Sequence, residues 1–188
     1  MNFDVGYMLW LIPQILTYLP ITLFISLCAI VLATLLGAVL AVLLRSIRPL
    51  ALFAHLYISF FRGTPVLVHL LIIYFGLPQL FPVLNSLSAT HAVIIGLSLN
   101  SAAYLAEVFR AAIDSVDRGQ WEASLASGLS HVDAAWRILL PQACCNAIPS
   151  ARYVCIGLLK NPSLAFTLGG IDPLAGCNLT ASESHKFS

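Results

Sequence analysis

Two oppositely charged side chains, Glu107 and Arg110, stand three residues apart near the end of a long apolar stretch. At this spacing they share one face of a helix and can form an ion pair. Ionisable groups inside an apolar helix are often functional, so the same pair could instead belong to a gate or a cation-binding pathway. The sequence leaves both interpretations open.

Two polar side chains that precede this pair could bind a small ligand. Asn100 and Tyr104 are four residues apart and therefore lie on one helix face. Their amide and hydroxyl groups could hydrogen-bond a substrate, or they could bond to neighbouring helices, as polar groups between packed helices commonly do. We treat Asn100, Tyr104 and Glu107 as candidate substrate-pathway residues.

Other reactive residue types lack the spacing that their chemistry requires. The five cysteines form no C-x-x-C pair, so we interpret them as small apolar packing residues rather than as a zinc or redox site. His55 and His69 are isolated from other potential metal ligands. The chain has no G-x-x-x-x-G-K-[ST] loop, so we expect ATP to be hydrolysed elsewhere. We expect no catalytic residue, no metal and no cofactor, and hence no enzyme.

The composition indicates a membrane protein. Hydrophobic residues make up 60% of the chain and charged residues only 9%, whereas soluble domains carry about 25% charged residues. Neither Val5–Leu44 nor Gly63–Ala106 contains Asp, Glu, Lys or Arg, and a helix needs roughly 20 apolar residues to span a bilayer. The lipid bilayer is therefore the expected solvent, and a net charge of +1 gives no support for a nucleic-acid partner.

The apolar stretches predict an all-α, polytopic transmembrane helix bundle. The predicted spans are about Leu19–Leu44, Leu50–Phe75, Ala92–Phe109 and Ile138–Leu159. We expect residues 1–18 to form an external segment and residues 19–170 the membrane domain, with a connection at about 111–137. Residues 171–188 are interpreted as a polar tail, either disordered or truncated.

The distribution of Arg predicts the orientation of the bundle. Arg45 and Arg48 lie in the first connection, and Arg110, Arg118 and Arg137 lie in or beside the third. The second connection, residues 76–91, has no Lys or Arg. Cytoplasmic loops carry the excess of Lys and Arg, so the first and third connections should be cytoplasmic and the N-terminus outside.

The third connection is long for a loop and has helical periodicity. Its apolar residues recur every three or four positions and predict one apolar face of a helix pair: Trp121, Leu125, Leu129, Val132 and Trp136. Gly128 would allow a turn between the two helices. The periodicity fits either an interfacial helix lying on the membrane or a docking element for a soluble partner.

The same connection carries a family signature. Glu122-Ala123-Ser124, Gly128, Ile138 and Leu140-Pro141 resemble the EAA motif of bacterial ATP-binding cassette (ABC) importer permeases, with every offset kept and Ser124 in place of Ala. In that family this loop is a short coupling helix that sits in a groove of the ATP-binding subunit. The resemblance implies that Glu122, Ala123, Ser124, Gly128, Ile138, Leu140 and Pro141 couple the chain to an ATPase.

Further motifs narrow the resemblance to the polar amino acid permeases. They are Arg62-Gly63-Thr64-Pro65, the run from Ala103 to Arg110, Gly119-Gln120-Trp121-Glu122, and the run from Leu159 to Leu164, and the likeness covers roughly Pro20 to Leu168. It implies a type I ABC importer permease, multi-pass in the bacterial cytoplasmic (inner) membrane, which moves a polar amino acid by alternating access. The implied partners are an ATP-binding cassette ATPase subunit, an extracytoplasmic substrate-binding protein, and a second permease in a homodimer or heterodimer.

Two departures from that family keep alternatives open. Pro162 stands where the family has Ser or Thr, and no fifth spanning helix is predicted. The chain could therefore be truncated or frame-shifted, or divergent at its end. The competing hypotheses are a secondary transporter or channel that needs no ATPase, and an inactive truncated membrane fragment.

Overall fold

The computed structural model describes residues 5–161, and every regular element in that range is helical. The α-helices are α1 (Val5–Leu44), α2 (Arg48–Gly63), α3 (Val66–Leu71), α4 (Leu77–Leu80), α5 (Ala89–Asp114), α6 (Arg118–Ala126), α7 (His131–Ala134) and α8 (Leu140–Lys160). π-Helical turns occupy Ile72–Gly76 and Ala135–Leu139, and a 3-10 helix occupies Pro82–Ser86. The predicted all-α class is confirmed.

Within residues 5–161, two helical stretches are long and apolar enough to cross a membrane, Leu19–Leu43 and Ala89–Asp114. Helices α2 and α3–α4 add a third if the interrupted stretch is counted as one span. The fourth predicted span is helical, as α8, but α8 is not among the described helices that are apolar enough to cross a membrane, and it carries the polar residues Gln142, Asn146 and Arg152.

The second predicted span is wrong as a continuous helix, because the chain breaks at Thr64 and Pro65. Thr64 is extended, with φ −119° and ψ 145°. Proline has no N–H to continue the hydrogen-bond ladder, and its ring clashes with a helical conformation of the preceding residue. The Thr64 hydroxyl donates to the carbonyl of Phe60 at 2.8 Å, which gives that carbonyl a partner at the helix end.

Only the N-terminal of the two predicted end segments can be compared with the structure. Helix α1 begins at Val5 and is continuous to Leu44, so residues 5–18 of the predicted external segment are helical and continue into the first predicted span. The side of the membrane on which it lies stays a prediction. The predicted tail 171–188, Pro162 and the question of a fifth helix lie outside the described residues.

One compact unit of the chain comprises Leu32–Thr64 and Leu99–Ile156. Its core is built from small and branched side chains of α1, α2 and α5: Leu40, Ala54, Ile58, Ala102, Ala103 and Ala106. Gly37 lets α1 approach α5 closely, because a Cβ at this position would lie 2.9 Å from the Leu105 Cβ and 3.2 Å from the Ala102 carbonyl oxygen. The Tyr57 hydroxyl donates to the Leu99 carbonyl at 2.8 Å, so the hydroxyl of this half-buried side chain is satisfied.

The second unit comprises the segment that ends at Val31, Pro65–Ser98 and the segment that begins at Gly157. Leu70 and Gly96 pack closely, since a Cβ at Gly96 would lie only 2.5 Å from a methyl carbon of Leu70. The buried Ser26 hydroxyl lies 2.8 Å from the Thr22 carbonyl and 3.3 Å from that of Leu158. Small residues at such contacts let helices pack in lipid, where burial of apolar surface gives no advantage.

The outer faces of α1 and α2 expose large apolar side chains: Leu23, Phe24, Leu27, Val31, Leu35, Val42, Phe53, Leu56 and Phe60. A soluble protein rarely exposes so extensive an apolar surface. Because every backbone group inside a helix is bonded within that helix, these elements can face hydrocarbon without unsatisfied polar groups. The chain is therefore a membrane protein.

Candidate functional site

The third connection folds as a helix, a tight turn and a second helix. Asp117 caps α6, and its carboxylate accepts from the Gly119 N–H at 2.6 Å. Ser130 caps α7, where its hydroxyl oxygen accepts from the Asp133 N–H at 3.1 Å and its proton is donated to the Asp133 carboxylate at 2.6 Å. Side-chain oxygens at these positions satisfy N–H groups that a helix start leaves unpaired.

The turn between α6 and α7 depends on Gly128, which has φ +85°. Its N–H donates to the Leu125 carbonyl at 3.0 Å, and the Leu129 N–H donates to the Ser124 carbonyl at 3.2 Å. These two bonds define a Schellman motif, in which a glycine in the left-handed region ends the helix. The predicted turn at Gly128 is confirmed, and we call this feature the α6–α7 turn.

The single apolar face predicted for this connection is wrong as a whole. Trp121, Leu125 and Leu129 are half-buried, but Val132 is 67% exposed and Trp136 is 69% exposed. Helical periodicity does not carry across the α6–α7 turn, because the positive φ of Gly128 starts α7 in a new direction. The Trp121 and His131 rings still lie near each other across the turn, with centroids 5.8 Å apart.

The first half of the signature divides into an exposed and a buried part. Glu122, Ala123 and Gly128 are exposed, and we call these three residues the docking surface. Ser124 is only 6% exposed, and its hydroxyl donates to the Trp121 carbonyl at 2.7 Å. A Ser in place of Ala is accommodated here because the backbone of its own helix satisfies the hydroxyl.

The second half of the signature lies at the start of α8 and in the π-helical turn before it. Ile138 and Leu140 are half-buried, and Pro141 is exposed in the first turn of α8. Helix α8 does not begin at a free end, because the chain enters it directly from the π-helical turn Ala135–Leu139. Pro141 cannot donate to the carbonyl four residues earlier, and a π-helical turn is a wider arrangement in which that bond is not made.

Two of the three candidate substrate-pathway residues line one cavity of about 450 Å³. Tyr104 and Glu107 face it, together with Arg62, Arg110, Asn146 and Ser150, and we call it the polar cavity. Asn100 is not among its lining residues. The Asn100 amide donates to the Phe61 carbonyl of α2 at 2.8 Å, which supports the interpretation that it bonds to a neighbouring helix.

Charges beside the polar cavity form a connected chain. Arg110 lies 2.7 Å from the Glu107 carboxylate and 3.0 Å from that of Asp114, and the other oxygen of Asp114 lies 2.7 Å from Arg45. The ion pair inferred from the spacing of Glu107 and Arg110 is confirmed. Asp114 also lines a second cavity of about 490 Å³ with Arg45, Trp121 and Glu122, so the charge chain lies between the two cavities.

The sequence did not reveal two further polar contacts of the polar cavity. The Arg62 guanidinium lies over the Tyr104 ring, 5.4 Å from its centroid. The Asn146 amide donates to the Ser115 hydroxyl at 2.9 Å. Each contact joins segments more than 30 residues apart, and the periodicity within a single helix carries no signal of such contacts.

A family model and two similar proteins all describe membrane components of transport systems. Residues 29–184 match a family described as "Binding-protein-dependent transport system inner membrane component". Over 98% of the chain, 49% of residues are identical to the probable amino-acid permease protein YxeN of Bacillus subtilis (strain 168), covering 83% of that protein. Over the whole chain, 44% are identical to the probable amino-acid ABC transporter permease protein PatM of Vibrio harveyi, covering 84% of it.

A solved structure has a similar fold. It is titled "Crystal structure of an amino acid ABC transporter with histidines", and the TM-score is 0.90 at 34% sequence identity. The match covers 100% of this chain and 86% of that one. The family match also extends to residue 184 and therefore includes most of the predicted tail, residues 171–188.

Proposed function

The chain belongs to the family of binding-protein-dependent transport system inner membrane components, and from this we propose that it is the multi-pass permease subunit of an ABC importer for a polar amino acid. Members of this family work with a binding protein, so the family weighs against a secondary transporter or channel. The names of the similar proteins support an amino acid as the substrate. The proposed location is the bacterial cytoplasmic membrane.

The docking surface carries the coupling part of the proposal. The Schellman motif presents Gly128 with no side chain, and a Cβ added there would meet nothing within 4 Å. Ala123 is exposed beside it on α6, so a partner backbone can approach both residues closely. Glu122 adds one exposed carboxylate. We propose that this surface fits a groove of a separate ATPase subunit, with Ser124, Ile138 and Leu140 supporting it from behind and Pro141 setting the entry into α8.

The charge chain offers a route from the docking surface to the polar cavity. Glu122 lines one cavity with Arg45 and Asp114, and Asp114 reaches Arg110 of the other. A partner that moves α6 would change the surroundings of Asp114, whose carboxylate contacts both Arg45 and Arg110. Because a bound partner shifts a conformational equilibrium only through differential contacts, the pair between Arg45 and Asp114, which joins two segments, is a suitable element for alternating access.

The polar cavity is the proposed substrate pathway. The guanidinium of Arg62 suits an α-carboxylate, and Glu107 suits an α-ammonium group. Tyr104 provides an aromatic surface beside them, since it is 40% exposed and already holds Arg62 over its ring. We propose that Tyr104 and Glu107 contact the passing amino acid, and that Asn100 positions α2 against α5.

The remaining partners follow from the family. We propose an extracytoplasmic binding protein that delivers the substrate and a second permease subunit that completes the pathway. The N-terminus is proposed to lie outside and the third connection in the cytoplasm, in line with the positions of Arg45, Arg118 and Arg137. ATP would be hydrolysed by the partner, since the sequence has no phosphate-binding loop.

Substitution of Gly128 tests the docking surface. We expect Gly128→Leu to reduce co-purification of the transporter's ATPase subunit about tenfold or more, which corresponds to roughly 1.4 kcal/mol of binding. The added side chain would stand between the two backbones. Gly128→Asn is the matched control for the backbone, because Asn tolerates a positive φ. Gly128→Ala separates the strain from the bulk of the new side chain.

The folding of each variant is checked by its melting temperature in detergent. Position 128 is open, but its φ of +85° strains side chains other than Asn, so we expect Gly128→Leu and Gly128→Ala to melt below the wild type by similar amounts and Gly128→Asn to melt closer to it. Wild-type recovery of the ATPase with Gly128→Leu would refute the docking surface, and an equal loss with Leu and Ala would assign the effect to turn strain instead.

A further inference from the structure

The last residue of α4 and the connection to α5 expose three neighbouring large apolar side chains. Leu80 is 74% exposed, Phe81 is 58% exposed and Val83 is 87% exposed. We call these three residues the apolar ridge. An exposed apolar cluster of this kind marks a surface that another apolar phase or partner covers.

The backbone around the apolar ridge is bonded within its own segment. The Phe81 N–H donates to the Leu77 carbonyl at 2.8 Å, and the Leu84 N–H donates to the Phe81 carbonyl at 2.9 Å. The Gln79 amide donates to the Phe75 carbonyl at 3.0 Å. Because these groups need no water, the segment can enter a region of low water content without a large desolvation cost.

The charge pattern favours lipid over a soluble protein as the covering phase. Gly63–Ala106 contains no Asp, Glu, Lys or Arg, so the apolar ridge lies in a long uncharged segment. A protein that docks and leaves repeatedly is usually guided by complementary charges, and this segment provides none. Lipid requires no such guidance.

The connection is too short to carry the apolar ridge far from the bilayer. Only residues 81–88 separate α4 from α5. Helix α5 is long and apolar enough to span a membrane, and so are α2–α4 when the bent pair is counted as one span. The interfacial layer is about 5–8 Å thick on each side of the hydrocarbon. A short connection with Pro82 and a 3-10 turn therefore stays at the depth where apolar side chains meet lipid.

We propose that the apolar ridge inserts into the interfacial layer of the bilayer and anchors this connection to lipid. Leu80, Phe81 and Val83 enter the acyl boundary, and Asn85 stays at the headgroups. The proposal rests on the membrane-spanning character of the flanking helices and not on coupling to an ATPase.

A fluorescent probe of depth tests this anchor. A full-length chain without its native cysteines would carry Val83→Cys labelled with an environment-sensitive dye, with Asn85→Cys, an exposed polar position of the same turn, as the matched control. The transporter complex is placed in phosphatidylcholine nanodiscs. We expect a lipid with a doxyl group near its headgroup to quench position 83 about threefold more than position 85, since interfacial apolar side chains reach about 5–10 Å into the bilayer. Iodide should show the opposite order.

Two results would overturn the anchor. Equal iodide access at both positions, with weak doxyl quenching, would place the apolar ridge in water. Protection of position 83 that appears only after the transporter's binding protein is added would assign the ridge to a protein partner. Co-purification with the ATPase is independent of this result, so failure of the anchor and failure of the proposed function are distinguishable.

Discussion

Gly37 shows how much a single residue can decide in this chain. A methyl group there would meet the Leu105 Cβ at 2.9 Å and the rigid backbone carbonyl of Ala102 at 3.2 Å. Overpacking costs about 1–3 kcal/mol, whereas replacing a helical Gly by Ala gains only about 1 kcal/mol. The steric cost therefore exceeds the gain in helix propensity.

We accordingly predict that Gly37→Ala lowers the melting temperature of the purified permease by about 2–4 °C, the shift that roughly 1 kcal/mol produces in a chain of this size. The matched control is Gly157→Ala, which lies in helix α8 with nothing within 4 Å of its Cβ position. That variant should melt at or above the wild-type temperature. A loss of stability at position 157 and not at 37 would contradict the close approach of α1 to α5.

Single residues also show where sequence reasoning succeeded and where it could not. The spacing of Glu107 and Arg110 was sufficient to predict their ion pair, because both lie on one helix. Tyr104 is a candidate substrate-pathway residue because it shares a helix face with Asn100. Its contact with Arg62, however, depends on how α2 packs against α5. The amide of Asn100 reaches the Phe61 carbonyl for the same reason. Such contacts arise in tertiary packing, which the pattern of one helix does not encode.

At the scale of elements, the charge chain joins the end of α1 to α5 through Arg45 and Asp114. Both side chains are 47% exposed, and their atoms lie 2.7 Å apart. Exposed ion pairs contribute about 0.2–1 kcal/mol, and salt weakens them further. The pair should therefore orient the helix ends and make only a small contribution to the stability of the fold.

We predict a coupling energy below about 1 kcal/mol for this pair in a double-mutant cycle of Arg45→Gln and Asp114→Asn, measured by unfolding in detergent. The coupling should fall as salt is raised. The reference pair is Asp133 and Arg137, which are 3.2 Å apart within one helical segment. A coupling several times larger between Arg45 and Asp114 would show that the pair is shielded from water and would contradict its exposure in the structure.

The bounds of helices were predicted well where apolarity alone determines them. They were predicted poorly where the backbone conformation of a single residue ends a helix. The third predicted span lies within α5, and the first ends at Leu44 as α1 does. The second predicted span is interrupted at Thr64. It was predicted from a long apolar run, and apolarity does not show that Pro65 forces Thr64 into an extended conformation. The single apolar face predicted across Gly128 is wrong for a similar reason. The prediction extended one helical periodicity through a turn at which the chain changes direction.

At the scale of the whole molecule, the arrangement of charge and exposed apolar surface gives one consistent topology. The apolar ridge lies in the uncharged connection, and the docking surface lies in the connection that Arg118 and Arg137 flank. A docking surface for a cytosolic ATPase is useful only on the cytoplasmic side. The Arg distribution predicts the same side for this connection independently of any docking, because Lys and Arg are retained in the cytoplasm.

We therefore predict that cysteines on the two connections react from opposite sides of the membrane. In a chain without native cysteines that is expressed without its ATPase subunit, Asn85→Cys should react with a membrane-impermeant maleimide added to intact spheroplasts, and Glu122→Cys should react only after the membrane is opened. Both positions are exposed, so accessibility within the fold does not limit either reaction. Labelling of position 122 in intact spheroplasts would place the docking surface outside, where no ATPase could reach it, and would overturn the proposed coupling even if the family and the fold remained as described.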